Sequence, residues 1–154
     1  MAQVGSRIRP SMWFDGRARE AAEFYVGVFP NSRMLSPSEI AVGQAEGGSV
    51  VEFELDGQRF EAFDGGPGIA FTLAISFNVA CETQEEIDYY WERLSEGGAT
   101  SQCGWLEDRF GVSWQIVPAM LGEIIARDPA RVMGALLAME KLDITALREA
   151  AGSR

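Results

Sequence analysis

The stretch Leu106-Glu107-Asp108-Arg109-Phe110-Gly111-Val112-Ser113-Trp114-Gln115-Ile116-Val117-Pro118 decides the fold, because a shorter version of it occurs earlier in the chain. The earlier version is Leu55-Asp56-Gly57-Gln58-Arg59-Phe60-Glu61-Ala62-Phe63, and each predicts a hairpin in which a tight turn feeds a strand. An alternating apolar segment and an amphipathic helix precede both. We therefore predict an α+β fold from a duplicated module, with the two modules curving a sheet around a cleft.

Length and composition place the chain in the ordinary globular class. It has 154 residues, of which 47% are hydrophobic and 23% charged, so a long coiled coil or a disordered chain is excluded. We predict one domain over residues 1–154, with a first module at about 7–64, a second at about 70–118 and a helical extension over 119–152.

Charge excludes one class of partner. The net charge is -10, and no cluster of Lys and Arg offsets it, so we expect no nucleic-acid binding. No apolar run approaches the roughly 20 residues of a membrane span, and residues 1–10 lack the apolar centre of a signal peptide. We expect a cytoplasmic protein with no membrane partner, in which Cys81 and Cys103 stay free thiols.

The first module begins with an extended apolar segment over residues 8–14, and Asp15 is placed to cap a helix after Gly16. The helix has one apolar stripe at spacings of three and four, formed by Ala18, Ala21, Ala22, Tyr25, Val28 and Phe29. Strands are predicted over residues 33–40, 50–55 and 59–63, the last two joined by an Asp56-Gly57 turn.

The second module follows the connector Asp64-Gly65-Gly66-Pro67-Gly68, which we interpret as a hinge because no Lys or helix start follows it as in a phosphate-binding loop. A long strand is predicted over residues 71–80. Thr83 and Glu86 form a capping box for the next helix. Residues 101–106 and 112–117 complete the strands.

The extension is rich in Ala, Leu and Met, with Asp128-Pro129 starting one helix and Asp143 capping another. Val132, Leu136 and Met139 give the longer helix an apolar face. This face could cover the chain's own sheet or pack on a second subunit, and the sequence does not choose between them.

Several short motifs in fixed order resemble the PhnB-like branch of the glyoxalase/bleomycin resistance/dioxygenase superfamily, which has the vicinal oxygen chelate fold. They are Trp13-Phe14-Asp15-Gly16, Ala21-Ala22-Glu23-Phe24-Tyr25, Phe29-Pro30-Asn31-Ser32, Phe63-Asp64-Gly65-Gly66-Pro67, Ala74-Ile75-Ser76-Phe77, Tyr90-Trp91-Glu92-Arg93-Leu94, Gln102-Cys103-Gly104-Trp105-Leu106 and the run from Phe110 to Pro118. The resemblance implies tandem βαβββ modules around a cleft, usually in a homodimer. Members are often labelled as 3-demethylubiquinone-9 3-methyltransferase domain proteins. We do not adopt that activity, because no glycine-rich loop for a methyl-donor nucleotide follows the opening strand.

Enzymes of this superfamily typically hold a divalent metal with His and Glu side chains, one from each of four strands. The resemblance places these positions at Pro10, near Glu61, at Ala74 and at Gln115. The chain has no histidine, and a catalytic zinc ion normally needs three His, Cys or carboxylate ligands. We therefore expect neither a metal nor another cofactor.

Two polar side chains remain as candidates at these positions. Glu61 is a candidate general base if the cleft buries it; the alternatives are an ion pair with a nearby Arg or a solvent-facing position on an edge strand. Gln115 is a candidate hydrogen-bonding partner for a ligand, or it faces polar neighbours of its own.

Aromatic side chains on the strands are suited to an apolar pocket, although aromatic residues on strands are more often part of the core. The candidates for ligand contact are Trp13, Phe63, Trp105 and Trp114. Our leading hypothesis is a dimeric, metal-free protein that binds a small organic ligand, with a cationic or neutral ligand favoured by the acidic chain. The alternatives are a metal-independent enzyme (a lyase, isomerase or transferase) with Glu61 as the base, and a non-catalytic structural or regulatory dimer.

Overall fold

The structure is a computed structural model that describes residues 6–35 and 50–152. The chain divides into two compact units, Met1–Ile69 and Ala70–Arg154, and each has one four-stranded sheet. Among the helices of these described ranges, none is long and apolar enough to cross a membrane.

The first unit has the elements β1 (Ser11–Phe14), α1 (Ala18–Val28), β2 (Arg33–Met34), β3 (Val50–Leu55) and β4 (Gln58–Asp64). Its sheet has the strand order β1-β4-β3-β2, with β1 parallel to β4 and the other pairs antiparallel. The Asp56-Gly57 hairpin is confirmed: Asp56 and Gly57 have φ values of 46° and 81°, as a two-residue turn of this kind requires. The predicted strand over 33–40 is seen at Arg33 and Met34, and residues 36–40 lie outside the described ranges.

Helix α1 packs on one face of this sheet through the predicted stripe. Tyr25 stacks on Phe53 with ring centroids 6.4 Å apart, and Phe53 in turn stacks on Phe60 at 5.5 Å. Because successive strand residues face opposite sides, the residues that alternate with Phe53 and Phe60 lie on the face away from α1.

The predicted cap of α1 is wrong. The N-cap residue is Arg17, whose side chain makes no capping hydrogen bond, and Asp15 is exposed. The carboxylate of Asp64, at the end of β4, instead accepts a hydrogen bond from the backbone N–H of Ala18 at 2.9 Å. A residue distant in sequence therefore satisfies a backbone donor of the first turn.

The second unit repeats the first. Its elements are β5 (Phe77–Cys81), α2 (Gln84–Ser95), β6 (Ala99–Thr100), β7 (Trp105–Glu107) and β8 (Ser113–Pro118). The strand order is β5-β8-β7-β6, with β5 parallel to β8 and the other pairs antiparallel. Because both sheets share one order and one set of directions, the predicted duplication of a βαβββ module is confirmed.

Two predicted strands are wrong in extent. The strand over 71–80 begins only at Phe77, because its partner β8 begins at Ser113 and offers no backbone for earlier residues. The strand over 101–106 is broken, because Cys103 and Gly104 have φ values of 61° and 80° and turn the chain between β6 and β7.

The capping box of α2 is confirmed, with one difference. The Thr83 hydroxyl accepts from the backbone N–H of Glu86 at 3.2 Å, while the Glu86 carboxylate accepts from the N–H of Glu82 at 2.7 Å. The side chain of Glu86 therefore reaches one residue further back than the motif predicts.

Three helices follow β8: α3 (Leu121–Arg127), α4 (Pro129–Leu137) and α5 (Ile144–Ala150). Asp128 and Asp143 cap α4 and α5 as predicted. These helices pack on the second unit itself, where one cluster of buried side chains joins Val117 of β8 to the helices. The other members of the cluster are Ile124, Val132, Leu136 and Leu147 of the helices, and Leu142 between α4 and α5.

Candidate ligand-binding face

The face of the first sheet opposite α1 is polar and aromatic, in contrast to the apolar face under the helix. We call it the polar face. Its side chains come from β1, β3 and β4 at alternate positions. They are Ser11, Trp13, Val50, Glu52, Glu54, Arg59, Glu61 and Phe63.

Charged side chains on the polar face form a continuous chain of ion pairs. Arg9 lies 3.4 Å from Glu61 and 3.0 Å from Glu52, and Glu52 lies 3.5 Å from Arg59. Glu52 and Glu61 are direct cross-strand neighbours, which would repel each other without a cation between them. Arg9 supplies this cation, and the four formal charges cancel.

Glu61 also accepts a hydrogen bond of 2.7 Å from the hydroxyl of Ser11, its neighbour on the parallel strand β1. Its side chain is 25% exposed, so solvent reaches it. Of the alternatives that the sequence left open for Glu61, the ion pair with a nearby Arg describes this geometry.

Trp13 is held in one position beside these charges. Its indole N–H donates to the carbonyl of Gly66 at 2.9 Å, and its ring lies against Gly65, where any Cβ atom would overlap the indole. Phe63, its register partner on β4, meets the ring edge-on with centroids 5.2 Å apart. The segment predicted as a hinge thus fixes an aromatic side chain.

Glu61 and Gln115 occupy equivalent positions in the two sheets. Each follows a buried aromatic residue on the last strand of its unit, and each pairs with a residue of the parallel first strand, Ser11 or Asn78. The equivalence extends to their contacts. Arg9, two residues before Ser11, contacts Glu61, and Ser76, two residues before Asn78, accepts a hydrogen bond of 2.9 Å from the Gln115 amide.

The remaining predicted aromatic residues lie on opposite faces of the second sheet. Trp105 is the cross-strand neighbour of Gln115 and is half-buried on the same face. Trp114 points the other way into the core, where it is 2% exposed and packs against Phe77 at 5.3 Å. Trp114 is therefore a core residue, and the structure does not bring it together with Gln115.

The positions at which the superfamily places metal ligands do not fit a metal ion here. Pro10 precedes β1, and Ala74 lies in an exposed turn before β5. The four positions, with Glu61 and Gln115, thus supply one carboxylate and one amide. Over residues 6–35 and 50–152, no three Cys, Asp or Glu side chains come together as ligands for a metal ion.

Sequence reasoning missed three residues that shape these sites. Arg9 and Ser11 both contact Glu61 from the first strand, and alternation along that strand was the available signal for Ser11. Asp108 is buried, and its carboxylate accepts three N–H hydrogen bonds, from Phe110, Val112 and the indole of Trp114. The position of Asp108 in a predicted hairpin turn did not indicate that its side chain is buried.

Comparison with known protein families identifies the chain. The family model described as 3-demethylubiquinone-9 3-methyltransferase matches residues 6–117, which is both modules and none of the helical extension. The chain belongs to this family. A solved structure described as a putative 3-demethylubiquinone-9 3-methyltransferase, the PhnB protein from Bacillus cereus, is 35% identical. It covers 74% of this chain and 100% of its own, with a TM-score of 0.67.

More distant structures show the wider fold of this PhnB-like protein. A protein from Pseudomonas aeruginosa is 20% identical, covers 73% of this chain and 96% of its own, and has a TM-score of 0.61. The fosfomycin resistance protein FosX from Listeria monocytogenes is 17% identical, covers 80% and 99%, and has a TM-score of 0.55. These likenesses show that the chain shares the fold of these proteins. A search of curated proteins finds no match.

Proposed function

We propose that this PhnB-like protein binds a small organic ligand on the polar face of its first sheet, without a resident metal. The observation that carries the proposal is the position of a fixed, half-buried indole beside a chain of ion pairs. Protein sites for small molecules combine apolar aromatic area with a few placed polar groups, and the polar face has both.

The chemistry of the face favours one kind of ligand. Trp13 and Phe63 offer aromatic area for a planar apolar group. Arg9, Glu52 and Glu61 are partly exposed, so a polar ligand group can contact them beside their ion pairs. Because the whole chain carries a net charge of -10, we expect a neutral or cationic ligand rather than a polyanion.

Two activities suggested by the relatives are not carried over. The segment between β1 and α1 is only Asp15-Gly16-Arg17, which is too short for a glycine-rich nucleotide loop, so we propose no methyl transfer. One FosX structure from Listeria monocytogenes is described as a complex with Mn(II) and a dihydroxypropylphosphonic acid. The positions that the resemblance gives here, Pro10, Glu61, Ala74 and Gln115, lack the ligands for such an ion.

The test is a thermal-shift screen of tag-free protein against a defined library of aromatic amines, amino acids and carboxylic acids. Compounds that stabilise the wild type should lose their effect in Trp13→Ala and in Glu61→Gln. The matched control is Trp91→Ala on α2, which removes a partly buried indole of the second unit. If a compound stabilises all variants equally, its binding site lies elsewhere. If elemental analysis finds one divalent metal ion per chain, the proposal that the protein has no resident metal is wrong.

A second candidate is a metal-independent enzyme in which Glu61 acts as the general base. The short hydrogen bond from the Ser11 hydroxyl favours it, because it shows that a donor O–H reaches this carboxylate. Glu61→Gln should then abolish turnover of any substrate found, whereas Glu54→Gln on the same face should not. Unchanged turnover in Glu61→Gln contradicts this candidate. If the protein has a non-catalytic structural role, we expect no compound in the screen to stabilise it.

A further inference from the structure

Residues 64–66 hold the indole of Trp13 through a segment that is itself anchored. The backbone N–H of Gly65 donates to the carbonyl of Phe14 at 3.0 Å, which continues the pairing of β1 with β4 past Asp64. The carboxylate of Asp64 accepts from the N–H of Ala18 at 2.9 Å, which joins the same segment to α1. The segment that supports the indole is therefore fixed to both β1 and α1 of the first unit.

The single hydrogen-bond donor of the Trp13 side chain is already used. An indole has one N–H and no acceptor, and this N–H donates to the carbonyl of Gly66 at 2.9 Å. Gly66 has a φ of 94°, which side chains of L-residues rarely adopt, so a glycine is needed to present the carbonyl in this direction. A ligand beside Trp13 therefore meets its ring and receives no hydrogen bond from it.

Gly65 sets the orientation of the ring. A Cβ atom at residue 65 would overlap Cε2, Cδ2 and Cζ2 of Trp13, so one face of the indole rests on the glycine backbone. Phe63 meets the ring at an interplanar angle of 68°. A side chain at residue 65 would displace the indole, because the backbone of Gly65 is held by β1 and cannot easily give way.

Among ligands of one charge, the fixed ring is the part of the polar face that can distinguish them, since the formal charges of Arg9, Arg59, Glu52 and Glu61 cancel. A planar ring that stacks on the indole gains an aromatic interaction that a puckered ring of the same size cannot make. This interaction corresponds to a difference in Kd of about 2- to 12-fold.

We propose that Gly65 and Gly66 are positioning residues of the polar face, which hold Trp13 so that it selects ligands with a planar aromatic ring. The proposal rests on the proposed function, since it concerns the same face. It adds the class of ligand: a compound whose planar ring stacks on the indole and takes no hydrogen bond from it.

The test measures the Kd of two amines by isothermal titration calorimetry. Phenethylamine and cyclohexylethylamine carry the same ammonium group on the same chain, but only phenethylamine has a planar ring. The cyclohexyl compound is the more apolar of the two, so burial alone would favour it. We expect the wild type to bind phenethylamine about 2- to 12-fold more tightly.

Gly65→Ala should reduce this ratio of Kd values to about one or below, because the displaced indole no longer offers its ring for stacking. The matched control is Gly27→Ala on α1, which adds the same methyl group where open space surrounds the glycine and should keep the ratio. Circular dichroism verifies that both variants are folded.

A second pair of variants tests the selection without a change at Gly65. Trp13→Phe keeps a planar ring but has no N–H, so it should retain the preference for phenethylamine, whereas Trp13→Leu should remove it. If Gly65→Ala keeps the preference or Trp13→Phe loses it, this proposal is wrong although the ligand-binding function stands. A wild type that binds neither amine contradicts this proposal, and the proposed function as well if no compound of the thermal-shift library stabilises the protein.

Discussion

The indole N–H of Trp114 donates a hydrogen bond of 2.9 Å to Oδ2 of Asp108, whose side chain is buried in the turn between β7 and β8. The other carboxylate oxygen accepts from the N–H groups of Phe110 and Val112 at 2.8 and 3.1 Å. One carboxylate thus ties the turn to the strand that follows it. Because charge-assisted hydrogen bonds are stronger than neutral ones, this residue has a large share in fixing the hairpin.

Asp108→Asn should destabilise the protein by about 1 to 3 kcal/mol, because an amide turns one acceptor oxygen into a donor that faces buried N–H groups. The measurement is urea unfolding followed by circular dichroism. Asp56→Asn is the matched control: it makes the same change in the equivalent hairpin, where Asp56 is exposed with a φ of 46° that Asn also accepts. Equal effects of the two changes would contradict the role of Asp108.

Gly65→Ala should lower the free energy of unfolding by about 1 to 3 kcal/mol, because the new Cβ displaces the indole of Trp13. The cost should largely vanish in a Trp13→Ala background, which removes the ring that the Cβ meets. Gly134→Ala on α4 is the control, since open space surrounds that glycine and alanine favours the helix. If Gly65→Ala costs the same with and without Trp13, the contact is not the cause.

Stability should fall at alkaline pH because of Cys81. Burial, with a smaller contribution from the nearby Glu86 carboxylate, raises the pKa of this thiol from 9.0 to about 12. Between these two values the unfolded thiol ionises and the folded thiol does not. The stability contribution is therefore complete below pH 9 and is lost as pH rises toward 12.

The measurement for Cys81 is the free energy of urea unfolding at several pH values between about 8 and about 11. Cys81→Ala should flatten the loss above pH 9. Identical alkaline slopes in the wild type and Cys81→Ala would mean that other groups cause the loss.

Gln84→Ala should loosen the start of α5. The amide of Gln84 donates to the carbonyl of Leu142 at 3.0 Å and accepts from the N–H of Ile144 at 2.9 Å, so one side chain joins α2 to the extension. We expect faster hydrogen exchange at the first amides of α5 and a loss of about 1 to 2 kcal/mol. Gln102→Ala, at an exposed position, is the control. Unchanged exchange in Gln84→Ala would argue against the tether.

Much of the fold could be predicted from local patterns. The helix stripe of α1, the Asp56-Gly57 turn and the caps at Thr83, Asp128 and Asp143 all depend on neighbours within four residues. The predictions were wrong where residues distant in sequence determine where a helix or strand begins. Asp64 displaces Asp15 at the start of α1, and the length of β8 limits β5, although residues 71–76 have the sequence pattern of a strand.

The candidate site was harder to predict than the fold. The register of β1 and β4 places Ser11 beside Glu61, and the side chain of Arg9 reaches between Glu61 and Glu52 on neighbouring strands. Sequence spacing could not show which Arg reaches which carboxylate, since Arg9 and Glu61 are far apart in the chain. Trp114 was assigned to a pocket because residue type alone does not tell which face of a strand a side chain occupies.

Because the extension packs on Val117, the folding unit of the second module extends beyond the last residue that the family model matches. The family model ends at residue 117, but the N–H groups of Cys103 and Gly104 donate to the carbonyls of Met139 and Glu140. A chain shortened to the family's length would leave these donors without their partners and expose the apolar cluster around Val117. The second module therefore depends on a helical extension that lies beyond the residues matched by the family model.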